Sequence, residues 1–343
     1  MKQESMEKQI LMIRDLVVHF HTFDGISRVL NRIDLTISEG EVVGLIGETG
    51  CGKSVTAKVI LGALPTPPAL IVGGEIVLDS DDLLKHDRKT RWAILREKMK
   101  YIPQDAMNSL NPVFTIGQQM TDLLRWHDQQ DVSWRTLFRT DKDDLLREKA
   151  IHLLDEVQIS SPAEMLKRYP AELSGGMRQR ILIAMSLMGN PVLLMADEPT
   201  TALDVTVQKR VLELLMDRVR EKNLSVLFIS HNLGIARQHC DRIYVMYAGN
   251  IVEAGKTKEL LTFPKHPYSK GLIQSIPKLT GTEFRGIPGS VPDYLCLPRG
   301  CRFHPRCPNA MEVCKIEEPG QVQIEKSYFV SCHLYGNGNG KRA

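Results

Sequence analysis

An α/β fold built on buried parallel strands is what this 343-residue sequence predicts, and three observations carry the expectation. Short apolar runs without polar alternation, "EVVGLIG", "PVLLMAD" and "LSVLFIS", read as strands covered on both faces. Between the last two lies the helical pattern "VTVQKRVLELLMDRVREK". Between the first strand and the next helix sits the glycine-rich turn "GETGCGKS", where an open α/β sheet places an anion-cradling loop.

The remaining elements follow in order. "ILMIRDLVVHF" is rich in β-branched and apolar residues and reads as a strand, and "VLNRIDLTISEGEVVGLIG" supplies two more, joined by a turn at Glu39-Gly40. A helix beginning at Lys53 runs through "VTAKVILGAL" and is expected to stop at Pro65, Pro67 and Pro68. From about 105 to 190 the reading is mainly helical. There "DKDDLLREKAIHLLDEV" sets Leu146, Ala150, Leu153 and Val157 on one face. "RIYVMYAGNIVEAG" reads as a hairpin turning at Gly249-Asn250. After Lys256, Pro, Gly, Cys and Arg rise and the periodic segments end. The expected division is therefore residues 1–255, with a helical subdomain at about 105–190, and a small Cys-rich extension over 256–343.

Composition narrows the function. With 44 basic against 41 acidic residues the net charge is only +3, so nucleic-acid binding by bulk charge is not expected. The charged start "MKQESMEKQI" lacks the apolar core of a secretory signal. The longest uncharged stretch, "ILIAMSLMGNPVLLMA", is interrupted by Gly189, Asn190 and Pro191 and falls short of a membrane span. The expected location is the reducing cytoplasm, where structural disulfides are rare. That favours metal over disulfides for Cys301, Cys307, Cys314 and Cys332. Their C-x5-C-x6-C-x17-C spacing lacks the paired CxxC knuckles of structural zinc, whereas four thiolates can hold a 4Fe–4S cluster through varied loops. Zinc is the alternative, and Cys296 is a spare that could replace Cys301.

Two stretches carry phosphate chemistry. Gly47, Glu48, Thr49, Gly50, Cys51, Gly52, Lys53 and Ser54 fit the P-loop pattern GxxxxGKS between strand and helix. The glycines turn backbone N–H groups towards phosphates, Lys53 neutralises charge and Ser54 ligates magnesium. Cys51, at a helix N-terminus beside a lysine, is expected to have a depressed thiol pKa, with alkylation slowed by ATP. In "PVLLMADEPT" a strand delivers Asp197 to its end, where it can hold magnesium through water, and Glu198 can polarise an attacking water. Alone, such an acidic pair is more often a cap or a salt bridge; behind a P-loop the nucleotide reading prevails.

With "LSGGMRQR" between these halves and "ADEPTTALD" after them, the chain resembles the ATP-binding subunits of ABC transporters. The resemblance implies an ABC-type P-loop ATPase with a β-subdomain and a helical subdomain. Ser174, Gly175 and Gly176 match the signature motif, which contacts ATP on a partner subunit; Met177 stands where glutamine is usual. Gln104 in "YIPQDAMNSLNP" matches the Q-loop residue that contacts magnesium and water, Asp204 the D-loop, and His231 in "FISHNLG" the switch histidine of the γ-phosphate. An aromatic residue near the first strands stacks on adenine in the family, and Phe20 and Phe23 both qualify. "QDAMNSLNP", "RYPAELSGGMRQR", "KHPYSKGLIQSIP" and the tail "GIPGSVPDY…GCRFHPRCPNA" resemble the branch that imports di- and oligopeptides and, in some members, nickel. In some members the same four cysteines bind a 4Fe–4S cluster. The implied assembly has a second related ATPase chain, two transmembrane permeases and an extracytoplasmic binding protein, with this chain at the cytoplasmic face of the membrane. A soluble ABC-type ATPase acting on DNA or ribosomes would carry a coiled coil or two tandem domains, and a toxic-peptide exporter subunit would lack the tail; neither pattern fits.

Overall fold

The computed structural model describes residues 8–128, 140–189, 191–200, 203–275 and 286–336. Contacts divide the chain into two compact units, Met1–Arg91 with Val226–Ala343, and Trp92–Ser225. The first unit opens with two long strands, β1 (Gln9–Thr22) and β2 (Gly25–Ser38), paired antiparallel. They are followed by β3 (Val42–Ile46), α1 (Lys53–Ile60), β4 (Ala69–Leu78) and the two-residue β5 (Asp81–Asp82). Strands β2-β1-β4-β5 form one antiparallel sheet, whose inward residues include Ile13, Leu16, Val18, Leu30, Ile33, Leu35 and Ile76, all buried. The expected turn at Glu39-Gly40 joins β2 to β3, with Gly40 at a φ of 70°. Helix α1 ends before its prolines. Gly62, at a φ of 62°, closes it as Ala63 N–H bonds to Lys58 O and Gly62 N–H to Val59 O. That is a glycine-terminated helix, so the stop expected at Pro65 comes three residues earlier for a different reason.

Within the second unit, α2 (Arg88–Lys98) leads into β6 (Met99–Ile102), and α3 (Ala106–Ser109), α4 (Ile116–Asp128), α5 (Thr140–Glu156), α6 (Pro162–Met165) and α7 (Gly175–Ser186) follow. Then come β7 (Leu193–Asp197) and α8 (Val205–Glu221). Strands β6 and β7 run parallel, Met99 opposite Leu193 and Ile102 opposite Ala196, and every residue of β7 is buried. The buried stripe is Leu146, Ala150 and Leu154 on α5, continued by Val157 just beyond its end, whereas Leu153 is only half-buried. At 3.6 residues per turn, a stripe centred on Ala150 includes Leu154 and puts Leu153 at its edge.

The first unit resumes with β8 (Ser225–Ser230), α9 (Leu233–His239), β9 (Arg242–Tyr247), β10 (Asn250–Lys256), α10 (Thr257–Thr262), α11 (Pro267–Gln274), β11 (Gln321–Glu325) and β12 (Tyr328–Ser331). Its second sheet has the order β11-β12-β10-β9-β3-β8. Strand β3 runs parallel to both neighbours and is buried along its whole length, as its unbroken apolar run requires. The β9–β10 hairpin turns at Ala248-Gly249, one residue before the expected Gly249-Asn250. Both residues have positive φ, 43° and 79°, the signature of a tight primed turn. The tail's last strand, β12, pairs with β10 through Glu253 opposite Val330. Among the described residues no helix is long and apolar enough to cross a membrane.

Candidate functional site

The glycine-rich loop leaves the buried end of β3 and enters α1. Gly50 and Gly52 take φ of 81° and 113°, conformations that L side chains resist, so the chain can reverse there. Gly47 is pressed against β9: an added Cβ would lie 2.2 Å from the carbonyl oxygen of Met246. Lys53, only 6% exposed, folds over the loop and donates to the carbonyls of Gly47 at 2.8 Å and Glu48 at 3.0 Å. Its ammonium therefore stands within the loop's concavity, where an anionic ligand can take it over from the two carbonyls. Thr49 and Ser54 are exposed, Ser54 in the first turn of α1. His231 is exposed just after β8. The register of Ile46 against Ser230 sets it one residue beyond the paired strands, alongside the start of the loop.

Cys51 departs from expectation. It is fully buried, and burial pushes its thiol pKa up; Lys53, 3.7 Å from the sulfur, offsets only part of that effect. Desolvation of the thiolate outweighs the nearby cation, so Cys51 is an inert packed thiol rather than an activated one. The aromatic candidates differ in exposure: Phe23 is fully exposed at the β1–β2 turn, and Phe20 is half-buried on β1 opposite Ser27 and Ala69.

In the second unit the carboxylate pair follows β7. Asp197, 6% exposed, accepts a hydrogen bond from the Tyr101 hydroxyl at 3.3 Å. Burial, then the Asp197 charge, pushes Tyr101 up to about 12, so the phenol remains a donor. Glu198 has a φ of 45°, a strained backbone for a non-glycine residue, and Gln104 Nε2 donates to its Oε2 at 3.0 Å. Gln104 and Glu198, 94 residues apart in sequence, are thus brought together at the ends of β6 and β7. Ser174 caps α7 by accepting from Met177 N–H at 3.3 Å, and Asp204 caps α8 by accepting from Val207 N–H at 3.0 Å. Gly175 and Gly176 also serve packing, since added Cβ atoms would meet Leu203 at 3.3 Å and Val207 at 2.7 Å.

The tail approaches the loop in a way that motif reading missed. Arg306 pairs with the Glu48 carboxylate, Tyr268 accepts from Glu48 N–H, and Tyr294 donates to the Gly50 carbonyl. Their only sequence signal is that they fall in "KHPYSKGLIQ", "SVPDY" and "FHPRC", stretches the core motifs do not explain.

The four tail cysteines fall short of the expected cluster site. Cys314 and Cys332 are buried, and Cys301 and Cys307 half-buried. Burial, and after it the charges of neighbouring cysteines, pushes the Cys301, Cys307 and Cys332 thiols up, Cys301 to about 11. The thiols are near enough to sense one another. Yet among the described residues no group of three or more His, Cys, Asp or Glu is arranged to hold a metal ion. As arranged, the four sulfurs do not converge on a position that an iron or zinc ion could occupy.

Comparison with known proteins agrees with the loop geometry. The family model "ABC transporter" matches residues 30–201, and "Oligopeptide/dipeptide transporter, C-terminal region" matches 252–314. The chain is 40% identical over 331 residues to the dipeptide transport ATP-binding protein DppD of Bacillus subtilis (strain 168), covering 96% of this chain and 95% of that protein. It is 44% identical over 314 residues to the probable D,D-dipeptide transport ATP-binding protein DdpD of Escherichia coli (strain K12), covering 90% and 92% respectively. Among solved structures it resembles a dimeric ATP-binding cassette in a post-hydrolysis state bound to ADP and Pi. That likeness has a TM-score of 0.61 and 25% identity, over 72% of this chain and 98% of that one.

Proposed function

Because the chain belongs to the ATP-binding subunits of ABC transporters, in the group that carries the oligopeptide/dipeptide transporter C-terminal region, we propose that it is the motor of an importer for di- and oligopeptides. The chain is an ATPase. The observation that carries the chemistry is the hydrogen bond from Gln104 to Glu198. It holds the Glu198 side chain through Oε2, and the Glu198 carboxylate accepts a proton from water as the water oxygen attacks the γ-phosphorus of ATP. The bond from that phosphorus to the β–γ bridging oxygen breaks, and ADP and phosphate leave. Lys53 and the loop N–H groups bind and orient the β- and γ-phosphates, and His231 contacts the γ-phosphate; Ser54 and Gln104 would hold magnesium, with Asp197 reaching it through water. When bound, magnesium would neutralise phosphate charge.

The signature segment Ser174–Gly176 heads α7, and its N–H groups serve the nucleotide of a partner subunit. We read that partner as a second, related ATPase, the pair driving two permeases fed by an extracytoplasmic binding protein. The peptide cargo rests on the C-terminal match and on relatives named for dipeptide transport along nearly their whole length. The 4Fe–4S reading of Cys301, Cys307, Cys314 and Cys332 rests on their spacing and on the family resemblance alone, since the four are not arranged around a metal position, and no step of the cycle is routed through it. About four irons per anaerobically purified chain is the content such a cluster requires, and iron-free protein excludes it. Replacing Glu198 with Gln tests the motor itself. ATP binding should persist while turnover stops, whereas Lys53→Ala should weaken binding. Turnover near the normal rate in Glu198→Gln overturns the assignment of the base.

A further inference from the structure

We infer that Arg306 and Tyr268 are positioning residues for the nucleotide loop, gripping Glu48 from the C-terminal segment and thereby setting ATP affinity from outside the ATPase core. The inference deepens the nucleotide reading above and rests on it.

Glu48 is the first residue after Gly47, where the loop turns away from β3. It is held at two points. Its N–H donates to the Tyr268 hydroxyl at 2.9 Å, and Tyr268 is fully buried on α11. Its carboxylate receives both arms of the Arg306 guanidinium, Nη1 to Oε2 at 2.7 Å and Nη2 to Oε1 at 3.1 Å. Such a two-pronged pair fixes direction as well as distance.

Arg306 is itself immobilised. Nε donates to Pro288 O at 2.8 Å, Nη2 also to Ile287 O at 3.2 Å, and Nη1 also to the Tyr247 hydroxyl at 3.4 Å. Every N–H of the guanidinium thus has a partner, and the side chain is only 6% exposed above the Tyr247 ring. Tyr247 and Tyr268 pack with Phe303 of the tail, ring centroids 4.7 to 5.4 Å apart, into one aromatic wall behind the loop. A guanidinium so fully engaged is pre-organised, and a loop tethered to it starts closer to the conformation that receives a polyphosphate.

The pair has a second, electrostatic task. The loop's work is to attract an anion, yet it carries a carboxylate at Glu48. Arg306 neutralises that charge. Without it the orphaned carboxylate would repel the phosphates and let the loop drift.

The two tasks can be separated by measuring ATP affinity of the full chain in the Glu198→Gln background, where turnover does not interfere. Arg306→Gln should weaken ATP binding about tenfold, the scale of one lost charge-assisted hydrogen bond. Arg306→Lys should recover part of the loss. Adding Glu48→Gln to Arg306→Gln should restore at least half of it by removing the orphaned charge, an effect that a merely structural staple would not show. Tyr268→Phe, which leaves Glu48 N–H without its acceptor, should weaken binding with no change in charge, and it stands in should Arg306→Gln fail to fold. Unaltered ATP affinity in a folded Arg306→Gln or Tyr268→Phe chain overturns the clamp. So does an Arg306→Gln loss that Glu48→Gln leaves untouched. A parent chain that binds no ATP at all overturns the nucleotide reading, and the clamp with it.

Discussion

Replacing Gly47 with alanine adds one methyl group where the loop leaves β3. The new Cβ would stand 2.2 Å from Met246 O and 2.7 Å from the Cys51 sulfur. An ordinary carbon–oxygen contact is about 3.3 Å, so the methyl intrudes by roughly 1 Å. Met246 cannot retreat, because β9 is paired with β3 through Ile46 opposite Val245. The loop must move instead. Overpacking of this kind costs about 1–3 kcal/mol of folding free energy, and a displacement of about 1 Å in a positioned site costs on the order of a hundredfold. Gly50→Ala is the control: its φ of 81° strains an alanine, but no atom lies within 4 Å of the added Cβ. There the cost is backbone strain alone, about 1–2 kcal/mol. Titrating ATP into both variants in the Glu198→Gln background should show Gly47→Ala roughly a hundredfold weaker and Gly50→Ala within about tenfold of the parent. Equal losses, or parental affinity in Gly47→Ala, would show that the wall formed by Met246 does not hold the loop.

His266 is 1% exposed, and burial, reinforced by Lys270, lowers its pKa to about 3 from the usual 6.5. Its stabilising contribution is complete above pH 6.5 and is lost as pH falls towards 3, by up to about 1.4 kcal/mol per pH unit. Urea midpoints across that window should flatten in His266→Asn, which keeps a capping acceptor for Tyr268 N–H; an unchanged slope refutes the assignment. Cys51, buried with a raised thiol pKa, should resist iodoacetamide at neutral pH while exposed Cys296 reacts, and urea should equalise the two. Fast labelling of Cys51 in the folded chain contradicts its burial.

Much of the nucleotide machinery was readable because it is local. A continuous apolar run can be buried on both faces only as a strand such as β3, β7 or β8, and the glycines that follow β3 permit the positive φ that the loop requires. Errors arose where neighbours in space compete with neighbours in sequence. Gly62 closed α1 before its prolines could, Ala248 accepted a positive φ within a tight hairpin, and packing around Ala150 chose Leu154 over Leu153. The Cys51 thiol was misjudged for the same reason: the sequence shows the adjacent lysine but not the burial that outweighs it. The grip of Arg306 on Glu48 joins residues 258 positions apart. No periodicity or turn signal spans that distance. A motif of eight residues can encode a loop's shape through its own torsions, but which distant side chain neutralises that loop's carboxylate is decided only when strands, aromatic wall and tail pack together.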